Sequence, residues 1–181
     1  MAITRTYTAA DLFDIEGDER YELVDGELHL VTGSAHSSSA IGLNIGAEIR
    51  FYLKRHRIGI ASGEASGFIL ARNPDTVLVP DAAFIRNEKL IDGQAYGRHA
   101  PYPPDLAVEV MSPSDRRIDL DRKVQRYLTA GTSIVWLVEP DAKTVTVYRA
   151  NRSPKVFGIG ESLSGEDVLP GFELDMTDVF E

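Results

Sequence analysis

Alternating apolar and polar residues predict a pair of strands near the start of the chain. The segment YELVDGELHLV alternates on both sides of Asp25-Gly26. This dipeptide favours a two-residue hairpin turn, because both turn positions need a positive φ. We therefore expect strands near 21–24 and 27–31 to pair with each other.

A helix is predicted from Ser37 to His56. Its apolar residues recur at helical spacing and form one stripe, made of Ile41, Ile45, Ile49, Tyr52 and Leu53. Serines at its start supply N-cap candidates. Gly42 and Gly46 weaken the prediction, but they lie one turn apart and would permit close packing.

Short apolar runs after this helix predict strands near 58–63, 66–71 and 77–85. The segment 86–104 that follows is rich in Gly, Pro and charge. It predicts a long surface loop, and long loops often carry function. We expect specificity or dimer contacts in this loop.

The second half of the chain predicts a parallel unit. Residues 106–111 and 133–139 are apolar on both faces, which is typical of central strands covered on both sides. A helix over 119–130, capped by its first residue and ended by Gly131, is expected between them. A further strand is expected at 144–150. This order favours an α/β or α+β class with a central mixed sheet flanked by helices.

The length of 181 residues predicts a single domain over 1–181. Within it we expect an N-terminal arm at 1–20, a core at 20–150 and an acidic C-terminal extension at 151–181. Seven acids and no Lys or Arg lie between Glu161 and Glu181. The net charge of −9 is therefore concentrated at this end, and the rest of the chain is nearly neutral.

Composition excludes several kinds of chemistry. The chain has no cysteine, which excludes disulfides, thiolate catalysis and Cys-based zinc or iron–sulfur sites. No apolar run approaches the roughly 18 residues needed to span a bilayer. The N-terminus lacks the apolar core of a secretory signal, so we expect a cytoplasmic protein with no membrane partner. The acidic balance argues against nucleic-acid binding by the surface as a whole, although local basic patches can exist.

Three charged residues lie beside predicted apolar faces. Asp81 and Glu109 each interrupt the apolar face of a predicted strand, and Lys123 flanks the apolar stripe of the helix that follows Glu109. A buried carboxylate must be paired, hydrogen-bonded or bound to a metal. These three residues are therefore the candidates for chemistry.

Two carboxylates and one lysine beside a sheet would form a hydrolytic site. Asp81 and Glu109, with the backbone carbonyl of Val110, would hold Mg²⁺ or Mn²⁺. Such a metal polarises a phosphoryl oxygen and lowers the pKa of a bound water. Lys123 would orient or deprotonate that water, or neutralise charge on the phosphate. The structural alternative is a strand end at Asp81 and a salt bridge between Glu109 and Lys123.

Three segments carry a family resemblance: PDAAF, PDLAVEVMSPSDRRIDLDRKVQRYLTAG and WLVEPDAKTVTVYR. Together with YELVDGEL, and with His36 before a helix, they resemble the Uma-type family of restriction-endonuclease-like proteins. That family belongs to the PD-(D/E)xK nuclease superfamily. The resemblance covers residues 20–150, and the block around EVMSPSD…K…Y is its most specific part.

The resemblance implies a restriction-endonuclease-like core and metal-dependent endonuclease activity, with DNA as the expected substrate. It places the metal carboxylates on Asp81 and Glu109. The superfamily's usual lysine position is occupied by Met111, and the resemblance to variants with a migrated lysine implies Lys123 instead. Glu22 matches a further family-typical acid that would assist the metal or orient a water. A cross-strand pair is the alternative for Glu22.

Three functions are compatible with the sequence. The first is a metal-dependent endonuclease that acts as a homodimer, because double-strand cleavage needs two active sites. The second is a binding or accessory protein with weak or no catalysis on the same fold. The third is a structural domain with a salt-bridged Glu109–Lys123 pair. The arginines between 116 and 126 would contact DNA phosphates or pair with the aspartates among them.

Overall fold

A central mixed sheet organises the fold, in a computed structural model that describes residues 6–31, 36–90 and 98–180. The helices are α1 (His36–His56), α2 (Arg117–Ala130) and α3 (Met176–Val179). The strands are β1 (Tyr21–Val24), β2 (Glu27–Leu30), β3 (Gly59–Gly63), β4 (Phe68–Ala71), β5 (Thr76–Leu78), β6 (Ala82–Arg86), β7 (Leu106–Val110), β8 (Ile134–Glu139), β9 (Thr144–Tyr148), β10 (Lys155–Gly158), β11 (Ser162–Ser164) and β12 (Glu173–Asp175). The predicted fold class, an α/β mixture with a mixed sheet, is confirmed.

The strands form three sheets. The six-stranded sheet has the order β10-β9-β8-β7-β6-β3, and in it β7 and β8 are parallel while the other neighbours are antiparallel. A four-stranded antiparallel sheet has the order β2-β1-β5-β4. β11 and β12 form a small antiparallel pair. The predicted parallel unit is therefore the β7–α2–β8 segment.

The two long helices cover opposite faces of the six-stranded sheet. Val108 and Trp136 belong to the hydrophobic cluster that contains the buried stripe of α1. Their strand neighbours Ala107 and Val135 belong to the cluster that contains α2. Because successive side chains on a strand point to opposite faces, both faces of β7 and β8 are buried. This burial accounts for the continuous apolar runs in the sequence.

The β1–β2 hairpin forms as predicted, with Leu23 opposite Leu28. Asp25 and Gly26 hold the turn, with φ of 52° and 81°. Both values lie in the left-handed region, which Asp tolerates and Gly adopts freely. The hairpin therefore has a local cause, and it carries Glu22 on β1.

The single strand predicted at 77–85 is wrong. The chain forms β5 and β6 instead, and these strands belong to different sheets. The break includes Pro80, which has no N–H to donate to a ladder. Asp81 therefore lies immediately before β6 rather than within a strand, and it does not share a strand face with Val79.

The start of α2 also differs from the prediction. The helix begins at Arg117 rather than at Asp119, and Arg116 at the N-cap makes no side-chain capping bond. Asp119 lies in the first turn, where a negative charge favours the helix dipole. The helix ends as expected, because Gly131 adopts a left-handed φ of 103°.

The C-terminal segment packs onto α1. Leu163, Leu169 and Phe172 are buried in the same cluster as the α1 stripe, and the hydroxyl of Tyr52 donates to the carbonyl of Pro170. The short strands around these residues were not predicted from the sequence. The division into an arm, a core and an extension stays a prediction.

The predicted loop at 86–104 lies partly outside the described residues, because 91–97 are not described. Its described part includes a short 3-10 helix at Asn87–Lys89 and a contact of Lys89 with Asp105. In the described part of the chain, no helix is long and apolar enough to cross a membrane.

Candidate active site

Asp81 is held at the junction of β6 and β7 by two backbone contacts. Its N–H donates to the carbonyl of Val108. Its Oδ2 accepts a hydrogen bond from the N–H of Val110 at 2.6 Å. The break between β5 and β6 therefore aims this carboxylate at the end of β7, where Glu109 and Val110 lie.

Glu109 faces α2 and is 4% exposed. The hydroxyl of Tyr127, which is fully buried, donates to its Oε1 at 2.8 Å. The Nζ of Lys123 lies 3.4 Å from its Oε2. The two oxygens of Glu109 are thus oriented by two residues of α2 that are one helical turn apart.

Lys123 also contacts the β1–β2 hairpin. Its Nζ lies 2.9 Å from the carboxylate of Glu22, which is closer than its distance to Glu109. Glu22 is itself fixed, because its Oε1 accepts a hydrogen bond from the N–H of Val79 at 3.0 Å. The ammonium group therefore bridges two buried carboxylates from different sheets.

Burial and charge shift the titration of these groups. Burial raises the pKa of Glu109 to about 8, and Lys123 opposes this shift while Glu22 and Asp81 add to it. Burial also raises the pKa of Asp81 to about 6, against the hydrogen bond from Val110. Burial disfavours the charged form of Lys123, but the carboxylates of Glu109 and Glu22 outweigh it and raise the pKa of its ammonium. The lysine is therefore charged at neutral pH.

These groups line one cavity of about 190 Å³. Its lining includes Asp81, Glu109, Lys123, Glu22 and Val110, together with Ser112, Asp115 and Arg116. Asp115 accepts hydrogen bonds from the N–H and hydroxyl of Ser112, so the SPSD segment forms a turn. The structure brings Asp81, Glu109, Lys123, Glu22 and Val110 together.

A second cavity, of about 420 Å³, lies between α1 and β3 and also has Asp81 in its lining. Gly42 of α1 packs directly against this aspartate. A Cβ at Gly42 would lie 3.0 Å from the Cβ of Asp81, which is tighter than ordinary contact. Gly42 therefore lets α1 approach the site closely.

The donor set fits a hard divalent cation. Asp81, Glu109 and the carbonyl of Val110 offer oxygen ligands, and Mg²⁺ is usually bound by one or two carboxylates together with waters and substrate phosphates. Burial raises the pKa values of both carboxyls, and a bound cation would favour their ionised forms. Among residues 6–31, 36–90 and 98–180, no group of three His, Asp or Glu side chains is placed to hold a metal ion by itself. The site suits a metal shared with substrate.

The arginines of α2 form ion pairs. Arg117 pairs with Asp121 and Glu139, and Arg126 pairs with Asp25. Arg116 and Arg122 each approach Asp119. The salt-bridged interpretation of this cluster is therefore the one the structure favours.

Sequence reasoning missed two residues of the site. Tyr127 lies in the apolar stripe that Lys123 flanks, and the signal that could have found it is that a buried hydroxyl needs a partner. Gly42 was noted as a site of close packing, but its neighbour Asp81 could not be identified from sequence. Trp136 is fully buried in the core.

The fold is shared with a solved structure. A protein from Anabaena variabilis described as "a putative nuclease belonging to DUF820" superposes on this chain with a TM-score of 0.77 and 22% sequence identity. The match covers 96% of this chain and 97% of that chain. The two chains therefore share the same fold over nearly their whole length.

The family model of Uma2, described as "Putative restriction endonuclease", matches residues 7–177. The chain belongs to the Uma2 family, and the resemblance drawn from its motifs is confirmed. Among curated proteins, none matches the sequence.

Proposed function

We propose that this protein is a metal-dependent endonuclease that hydrolyses phosphodiester bonds in DNA. The observation that carries the proposal is the convergence of Asp81, Glu109 and Lys123 on one cavity. These residues come from a strand junction, a central strand and a helix, so the cavity collects groups from three elements. Membership of the Uma2 family supports a nuclease, and the metal and the DNA substrate are part of this proposal.

Each residue has a separate task in this proposal. Asp81, Glu109 and the carbonyl of Val110 would hold Mg²⁺ or Mn²⁺. When bound, that ion supplies Lewis-acid charge to a phosphoryl oxygen and lowers the pKa of a coordinated water. Lys123 donates hydrogen bonds from its ammonium group and neutralises charge that develops on the phosphate.

Two further residues position these groups. Glu22 holds the ammonium of Lys123 in the cavity through a 2.9 Å contact. Tyr127 fixes the rotation of Glu109 by donating to its Oε1, which leaves Oε2 on the side of Lys123. Burial and hydrogen bonds restrict the rotamers of these side chains, so the site needs little rearrangement on binding.

An accessory protein without catalysis is the second candidate. The observation in its favour is that Lys123 already pairs with both Glu22 and Glu109. A satisfied ion triad can be a purely structural feature. This candidate predicts divalent binding without turnover, or neither.

A cleavage assay separates the two candidates. Supercoiled plasmid and a labelled single-stranded oligonucleotide are incubated with Mg²⁺ or Mn²⁺, with EDTA and Glu109→Ala as controls. Metal-dependent nicking or cutting that is lost in the variant supports the nuclease. Absence of cleavage, together with absence of Mn²⁺ binding in calorimetry, contradicts it.

We also propose that the protein is one cytoplasmic domain over 1–181 that acts as a homodimer. A dimer would present two cavities to the two strands of a duplex. Light scattering at micromolar concentration tests this part, and a monomer would contradict it.

A further inference from the structure

The end of α1 carries a cluster of four cations that have no acidic partner among the residues the structure describes. Arg50, Lys54 and Arg55 lie in its last two turns, and Arg57 follows it directly. All four are exposed. None of them forms an ion pair with the acids of the described chain, in contrast to the arginines of α2.

An aromatic ring lies among these cations. Phe51 is 53% exposed although it is large and apolar. The Nζ of Lys54 lies 5.9 Å from the centre of its ring, and the guanidinium carbon of Arg55 lies 5.3 Å from it. The α1 basic face consists of Arg50, Phe51, Lys54 and Arg55.

The α1 basic face leads to the candidate active site. Arg50 and Asp81 line the same cavity of about 420 Å³. Between Gly42, which touches Asp81, and Lys54 the helix rises by roughly 18 Å at about 1.5 Å per residue.

We propose that the α1 basic face binds a single-stranded stretch of nucleic acid. The face would direct this strand to the cavity of about 420 Å³ that Arg50 and Asp81 line. The cations match the charge of successive phosphates, and the exposed ring offers a base a surface for stacking. A net negative protein needs such a local patch, because a polyanion is otherwise repelled. The choice of nucleic acid as partner rests on the proposed nuclease function.

A second copy of the chain is the competing occupant. Leu43, which is 73% exposed, and Ala47 lie on the same side of α1 as Lys54. However, the three cations of this face would repel the same cations of a two-fold related copy. The charge of this face therefore favours a polyanion.

The test measures binding separately from cleavage. Anisotropy of a labelled single-stranded oligonucleotide is followed in EDTA, where a metal-dependent nuclease does not cut. The triple variant Arg50→Ala, Lys54→Ala, Arg55→Ala should bind at least about tenfold more weakly, and the slope of log Kd against log salt should fall by about 2. The charge-matched control replaces Lys143, Arg152 and Lys155 with Ala, and it should bind like the wild type.

A change at Phe51 tests base stacking separately from charge. Phe51→Leu keeps an apolar side chain but removes the stacking surface, and we expect about a tenfold loss of affinity with an unchanged salt slope. Phe51→Tyr should restore the binding. Circular dichroism and light scattering are recorded for every variant.

Three results would overturn the inference. These are unchanged binding by the triple variant, an equal loss in the charge-matched control, or a loss that accompanies a change of oligomeric state. Binding by the α1 basic face without any metal-dependent cleavage would refute the nuclease while leaving the inference standing. Cleavage with unchanged binding by the variants would refute the inference alone.

Discussion

The ammonium group of Lys123 lies 2.9 Å from the carboxylate of Glu22, although the two residues are 101 positions apart in the chain. This contact joins α2 to the β1–β2 hairpin at the wall of the candidate active site. It makes Glu22 the residue that decides where the lysine points. In the proposed mechanism Glu22 therefore acts through Lys123.

Glu22→Gln should lower the cleavage rate by about tenfold while leaving Mn²⁺ affinity within a few-fold of the wild type. Glutamine keeps an oxygen for the N–H of Val79 but loses the charge that holds Lys123. Single-turnover cleavage and calorimetry measure the two quantities. An equal loss of both would assign Glu22 to the metal directly.

Tyr127→Phe removes the hydroxyl that orients Glu109. We expect a loss of about 1–3 kcal/mol in the free energy of unfolding, because a buried carboxyl oxygen loses its donor. Mn²⁺ affinity should also fall, by about tenfold. Tyr148→Phe is the control, since its hydroxyl contacts Arg117 rather than the site. Unchanged metal affinity in Tyr127→Phe would remove the positioning role.

Gly42 and Gly46 form a matched pair on α1. A Cβ at 42 would lie 3.0 Å from the Cβ of Asp81, whereas a Cβ at 46 would lie 3.5 Å from the Cβ of Ala82, an ordinary contact. Gly46→Ala should stabilise the protein by about 0.5–1 kcal/mol through helix propensity. Gly42→Ala should not be stabilised in this way, because the new Cβ displaces Asp81. It should also lower the cleavage rate more than Gly46→Ala does. Equal effects of the two changes on unfolding and cleavage would argue against this contact.

The raised pKa of Glu109 predicts how stability changes with pH in EDTA. Its pKa is about 8 in the folded protein and 4.5 in its ordinary state. Between these values the folded state binds more protons than the unfolded state, so the free energy of unfolding falls as pH rises. Glutamine at position 109 cannot ionise, so the free energy of unfolding of Glu109→Gln should not fall in this way. Relative to the wild type, it should rise by about 1–4 kcal/mol between pH 5 and pH 8.5. Urea unfolding at both pH values measures this difference.

The exposed Glu48 on α1 supplies the control for the pH experiment. Glu48→Gln should follow the wild type at every pH, because this side chain lies in solvent. A pH dependence in Glu109→Gln as steep as that of the wild type would show that another group titrates.

Elements with a local cause could be predicted from the sequence. The Asp25-Gly26 turn needs positive φ at two adjacent positions, and only the local residues decide it. The stripe of α1 and the apolar runs of β7 and β8 likewise record one buried helix side and two buried strand faces. The stripe of α1 covers enough turns for its helical period to be unambiguous.

Elements decided by distant contacts could not be predicted in the same way. The break at Pro80 separates β5 from β6, and nothing in the adjacent residues shows that the two strands enter different sheets. β11 and β12 have three residues each, which is too short to show a period. Their place depends on packing against α1.

The candidate site likewise contains residues that the sequence reveals and contacts that it does not. Asp81, Glu109 and Lys123 stand out because charge interrupts an apolar pattern or flanks a buried stripe. The contacts that orient them are tertiary, and no spacing reveals that Tyr127 reaches Glu109 or that Glu22 reaches Lys123.

The most direct test of the central claim is the cleavage rate of Lys123→Met at saturating Mn²⁺, compared with Lys89→Met. Both lysines are 29% exposed and pair with a buried acid, but Lys89 pairs with Asp105 outside the cavity. We predict that Lys123→Met folds and binds Mn²⁺ yet loses at least about 100-fold in rate, while Lys89→Met keeps its rate. A Lys123→Met variant that folds and cleaves like Lys89→Met would contradict the account.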